Sequence, residues 1–116
     1  MMKRFLIIFF LILNGIAFAQ SRDAEFEGGT KQLKKIILTK INLDSIDVDE
    51  NTVVKLTFKI DRQGRVVVIN CESDYPKTKI EFIRVATEIK QKWKPAIKNG
   101  KRVDSEIMLS FPMIFE

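Results

Sequence analysis

Trp93-Lys94-Pro95-Ala96-Ile97-Lys98-Asn99-Gly100-Lys101-Arg102-Val103 is the stretch that decides how this chain folds. Pro95 carries no N–H and its ring clashes with a preceding helical turn, so a helix that reaches Trp93 must end there. Asn99-Gly100 sets side by side two residues that tolerate positive φ, which a two-residue hairpin turn requires. Beyond the turn, Ile107, Leu109, Phe111, Met113 and Phe115 recur at every second position. That period predicts a closing strand over roughly Val103 to Phe115 with one apolar face. Pro112 falls inside it, and a residue that cannot donate to a ladder belongs on an edge strand.

Working back from Trp93, the spacing of Phe82, Ile83, Ala86, Ile89 and Trp93 predicts an amphipathic helix over Lys77 to Trp93. Before it, Val54, Leu56, Phe58 and Ile60 alternate with Lys55, Thr57 and Lys59, the pattern of a half-buried strand over Thr52 to Asp61. Asp61-Arg62-Gln63-Gly64 reads as a turn, and Arg65 to Glu72 returns as an antiparallel partner rich in Val and Ile. Thr30 to Leu43 is a first helix, with Leu33, Ile36, Ile37 and Ile41 on one face and Thr30 as its N-cap. Its lysines Lys31, Lys34, Lys35 and Lys40 read as a solvated face rather than a membrane-binding one. The order helix, strand, strand, helix, strand predicts a two-layer α+β domain: two helices packed on one face of a three-stranded antiparallel sheet.

At the other end, Lys3 and Arg4 precede an apolar run from Phe5, and Ala17-Phe18-Ala19 supplies small residues at a cleavage position. This is the pattern of a secretory signal peptide over residues 1–19, cut after Ala19. The alternative is a retained inner-membrane anchor, but the 15 residues from Phe5 to Ala19 fall short of the roughly 20 that span a bilayer as a helix. Residues 20–29 read as a polar, turn-rich entry ending in Gly28-Gly29, and residues 30–116 as the domain. The expected compartment is the periplasm or the cell exterior.

Composition narrows the chemistry. The formal net charge of +5 falls to +3 once Lys3 and Arg4 are removed, too little to argue for nucleic acid. There is no histidine, so Ser105 and Ser110 lack their usual activating base, and no imidazole is present to bind metal. Cys71 is the only cysteine and reads as a packed strand residue. Gly28-Gly29 lacks the spacing of a phosphate-cradling loop, and Asp44, Asp47, Asp49 and Glu50 lack that of a calcium loop. The expectation is a protein with no catalytic residue, no metal and no cofactor.

Phe26 with Gly28-Gly29, the following helix, the Val53-to-Ile60 strand, Asp61 with Gly64, Trp93-Lys94-Pro95-Ala96, Asn99-Gly100 and Pro112-Met113-Ile114-Phe115 occur here in a fixed order. In that order they resemble the TonB C-terminal domain, the periplasmic domain of bacterial energy transducers for outer-membrane transport. The resemblance runs from about Phe26 to Phe115. It implies that Phe26, Gly28, Gly29, Asp61, Gly64, Trp93, Pro95, Asn99 and Gly100 hold the fold. It also implies that an outer-membrane transporter, or another envelope protein, adds an extended segment beside the last strand. By position the docking edge is Glu106, Ile107, Met108, Leu109, Ser110, Phe111, Pro112 and Met113. Unlike the full transducers, this chain shows no proline-rich spacer. Three readings follow: an exported binding module, a membrane-anchored transducer, or a structural domain that forms a homodimer through the same edge.

Overall fold

The computed structural model describes residues 21–90 and 92–115. The expected signal peptide or anchor over residues 1–19 lies outside the described residues. In chain order the elements are β1 (Glu25–Phe26), α1 (Gly29–Lys40), a 3-10 turn (Leu43–Ser45), β2 (Thr52–Ile60), β3 (Val66–Glu72), α2 (Pro76–Glu88), β4 (Trp93–Lys94), β5 (Ala96–Lys98), β6 (Lys101–Val103) and β7 (Ser105–Met113). The three long strands form one antiparallel sheet in the order β3-β2-β7. Two short antiparallel ladders, β1 with β4 and β5 with β6, stand beside it. The fold is thus α+β, with two helices among the described residues.

Alternation in β2 explains its central place. Val54, Leu56, Phe58 and Ile60 are buried, while Val53, Lys55 and Lys59 are exposed. The register Leu56↔Leu109 and Leu56↔Cys71 carries the same face across to both neighbours. Leu33 and Ile37 of α1, and Phe82, Val85 and Ala86 of α2, close over that face. Phe82 meets Phe111 with ring centroids 5.1 Å apart, and the Lys34 ammonium stands 5.8 Å from the Phe111 ring centre. Cys71 is part of this core, and burial pushes its thiol pKa up. The opposite sheet face carries Lys55, Lys59, Asn70, Glu72, Glu106 and Met108, all exposed.

Three expectations need correction. The second helix ends at Glu88, with Ile89 already extended (φ −78°, ψ 118°), rather than at Trp93. Trp93 lies in β4, where it pairs with Phe26 and is buried against Phe26 and Phe58 at ring-centroid distances of 5.5 and 5.7 Å. The apolar period continued to Trp93 because both the helix and the strand after it face one core. The first helix is capped by Gly28, not Thr30, and no side chain bonds its first turn. Finally, the segment read as turn-rich contributes β1, and Arg22 exchanges hydrogen bonds with Ile97 at 2.8 and 2.9 Å. Ala24 and Phe26 are core residues, so residues 21–26 belong to the domain.

The acidic loop also has a structural use. Asp47 accepts from the amides of Lys77 and Thr78 and from the Thr78 hydroxyl, and Thr78 Oγ1 accepts from the Asp47 amide in return. A side chain 30 residues away in sequence therefore caps α2. Burial raises the Asp47 pKa, but the bonds from Thr78 and Lys77 outweigh it and hold the carboxyl below its usual value. Glu81 is 5% exposed and accepts from the Arg84 guanidinium at 2.8 and 2.7 Å and from the Asn42 amide at 2.7 Å. The Arg84 bonds, then the Asn42 bond, pull its pKa from 4.5 to about 2 against desolvation. A depressed carboxylate contributes stability above its unfolded value and loses it as pH falls through the folded one. Stability should therefore drop between pH 4.5 and about 2. Glu81→Gln should shrink that acid-dependent part and cost about 1–3 kcal/mol at pH 7, as read by urea unfolding across pH. An unchanged acid limb in the variant would contradict this.

Candidate functional site

β7 has β2 on one side and no strand on the other among the described residues. Its free flank can be read residue by residue. In an antiparallel strand, a residue's N–H and C=O point together to one side, and successive residues alternate. Pairing continues past Val53↔Pro112 to Thr52↔Met113 without a register shift. Proline has no donor to give a ladder, so the Pro112 nitrogen faces away from β2. Phe115, three residues on, donates its N–H at 2.9 Å to Asn51 Oδ1, just before β2. Both observations assign the same parity. The backbones of Ile107, Leu109, Phe111 and Met113 face β2, and those of Glu106, Met108, Ser110 and Pro112 face outward.

Side chains follow the complementary rule. Leu109 and Phe111 are buried in the core, with Ile107 and Met113 packed against it. Glu106, Met108 and Pro112 are exposed on the open sheet face, where Glu106 lies 3.7 Å from Lys59. Of the eight residues expected to form the docking edge, only Glu106, Met108 and Ser110 can both donate to and accept from another strand. Pro112 offers a carbonyl alone. Ile107, Leu109, Phe111 and Met113 use their backbone groups in the existing ladder, which corrects their expected role as direct backbone partners. The alternation that separates the two sets was visible in the sequence; the proline turns it into a direction.

The opposite edge of the sheet is blunted. β3 shifts register between its pairings with Lys59 and Ile60, which marks a bulge. Lys55↔Glu72 and Thr57↔Asn70 share the parity that faces β3, so the Cys71 amide points outward. That amide is already occupied by Asn70 Oδ1 at 3.0 Å. Natural sheets protect edges by such devices; β7 pairs with β2 without a bulge and carries one exposed charge, Glu106, before Pro112.

The remaining sequence-selected residues hold the scaffold. Asp61 accepts from the Gln63 and Arg65 amides and from Arg65 Nε, each at 2.9 Å. The Arg65 bond leads in holding its pKa down. Gly64 has φ 81°, receives the Trp93 amide on its carbonyl at 3.1 Å, and lies against the Trp93 carbonyl and Pro95. Asn99 (φ 53°) and Gly100 (φ 77°) form the predicted hairpin turn between β5 and β6. Phe26 packs on Trp93, and Gly28 and Gly29 open α1. A cleft of about 790 Å³ is lined by residues 24–30 and 92–94 and lies apart from β7. Among the described residues no helix is long and apolar enough to cross a membrane, and no three carboxylate or thiol side chains gather as metal ligands.

These elements define the protein's class: a small α+β domain whose three-stranded sheet ends, among the described residues, in the open flank of β7. No protein-family model, curated protein or solved structure significantly matches the chain.

Proposed function

We propose that this protein is a non-catalytic, periplasmic binding module similar to the TonB C-terminal domain. Its partner is an outer-membrane transporter or another envelope protein, which adds an extended segment as a strand along β7. The observation that carries this reading is the bare flank of β7, with three outward donors, on a sheet whose other edge is blunted. Strand addition draws its affinity from main-chain bonds and needs no catalytic side chain. The ordered motifs ending in Pro112-Met113-Ile114-Phe115 support the TonB-like assignment.

Amide hydrogen exchange tests it. In the free protein the amides of Ile107, Leu109 and Phe111 should be protected, and those of Glu106, Met108 and Ser110 should exchange quickly. Adding a transporter's TonB-box peptide should protect the second set and leave the first set as it was. Shifts spread evenly along β7, or no change with any envelope peptide, would rule the docking out. N-terminal sequencing of the exported protein should find Gln20 first; an intact Met1 would favour the anchored transducer instead.

A further inference from the structure

The hairpin that turns at Asn99-Gly100 gathers positive charge that nothing in the fold answers. We propose that its tip, with residues 21–22 paired to it, is a docking surface for an anionic phospholipid bilayer. The inference is independent of strand addition, since it uses none of the outward residues of β7.

The tip is a ribbon of three strands. Arg22↔Ile97, Glu25↔Lys94 and Phe26↔Trp93 share one register, so residues 22–26 run antiparallel beside 93–97 on both sides of Pro95. Ile97 also pairs with Arg102 of β6. Arg22, Ile97 and Arg102 therefore lie in one row across the ribbon, and side chains of a row share a face. The two arginines stand about 10 Å apart, two strand spacings. One position nearer the turn, Lys98 lies opposite Lys101, and the Asn99 amide donates to Ser21 Oγ at 3.3 Å.

Residues 21–22 and 97–102 thus hold four cations, Arg22, Lys98, Lys101 and Arg102, and no carboxylate. All four are exposed, and none forms an ion pair among the described residues. The sheet treats its own cations differently: Lys59, Arg62 and Arg65 each have a carboxylate, at 3.7, 3.8 and 2.9 Å. Directly opposed like charges weaken a strand pair, so Lys98 and Lys101 carry a cost that an external anion removes.

The point at which the chain enters this tip argues for a bilayer as that anion. Ser21 stands two residues past Ala19, where the apolar run from Phe5 ends. Two residues span at most about 7 Å. While that run sits in a membrane, as a signal peptide before cleavage or as an anchor, the tip is held about one Debye length from the lipid surface, ~8 Å at physiological salt. Basic residues beside an inserted segment are drawn to anionic headgroups, each Lys or Arg strengthening binding about fivefold. End-on docking lets the cations of both ribbon faces reach one headgroup plane. A soluble acidic chain matches the charge but not this placement. Because Glu106, Met108 and Ser110 take no part, the tip can rest on lipid while β7 accepts a strand.

Vesicle co-sedimentation of the exported protein tests the proposal. Vesicles of phosphatidylglycerol and phosphatidylcholine should bind it, pure phosphatidylcholine should not, and raising salt from about 0.05 to 0.5 M should release it. The triple variant Lys98→Gln, Lys101→Gln, Arg102→Gln should bind about a hundredfold more weakly, and Arg22→Gln alone about fivefold. Lys31→Gln, Lys35→Gln, Lys40→Gln removes the same charge from exposed positions of α1 and should lose less than about fivefold. Circular dichroism should be unchanged in all three. Equal losses in the two triples, or equal binding to neutral vesicles, overturns the proposal. Displacement by millimolar inorganic phosphate at constant ionic strength would indicate a discrete anion site, and tighter capture by soluble polyglutamate an acidic chain; either overturns the bilayer assignment. The hairpin triple should keep the peptide-induced protection of Glu106, Met108 and Ser110, so failure of lipid docking and failure of strand addition are read separately.

Discussion

Gly64→Ala is expected to cost about 3–5 kcal/mol and to leave the protein largely unfolded at 37 °C if its stability is in the usual range of roughly 5–15 kcal/mol. Two effects add. At φ 81° an L-residue carries a left-handed penalty of roughly 1–2 kcal/mol. In addition, the new Cβ would run into the Trp93 carbonyl oxygen, which is backbone and cannot turn aside. Relief requires moving β4 away from the turn, which breaks the 3.1 Å bond from the Trp93 amide to the Gly64 carbonyl. Gly29→Ala separates the two effects. Gly29 has nearly the same φ, 86°, but nothing lies within 4 Å of its would-be Cβ. It should cost only about 1 kcal/mol. Urea unfolding of both variants checks this, and equal losses would mean that the close approach to Trp93 has no energetic weight.

Trp93→Ala should cost about 3–5 kcal/mol, the range for deleting a large buried aromatic. Trp93 is 5% exposed and stacks edge-on against Phe26 and tilted against Phe58. Its loss opens a void between the sheet and the N-terminal segment. That segment is held by few bonds: β1 has two ladder positions, Phe26↔Trp93 and Glu25↔Lys94, and Arg22 bridges Ile97. Residues 22–26 should therefore lose exchange protection before β2 does. Trp93→Phe should recover part of the stability, because a smaller ring still meets Phe26 and Phe58. A loss under about 1 kcal/mol for Trp93→Ala would show that β4 does not anchor the core.

Periodicity made most of the framework legible. The alternation of Val54, Leu56, Phe58 and Ile60 fixes which face of β2 is buried, and Leu33 with Ile37 marks the inner face of α1. Asn99-Gly100 is a turn wherever it is placed, since its dihedral preference is local. The edge position of the last strand followed from Pro112, which lacks a donor in any context. The helix end was missed because Ile89 and Trp93 extend the apolar stripe past Glu88, and periodicity reads burial rather than backbone conformation. The capping role of Asp47 was not legible, because no local rule connects it to amides at positions 77 and 78.

By itself the sequence determined the helix and strand faces, the turns and the edge character of the final strand, because each depends on dihedral preference and side-chain spacing within a few residues. Only the tertiary structure decided that residues 22–26 pair with 93–97, that Asp47 caps α2, and that Glu106, Met108 and Ser110 are the outward set on β7. Those features depend on ladder register between distant segments. Register is set when whole apolar faces meet, and a local window of sequence contains only one side of that meeting.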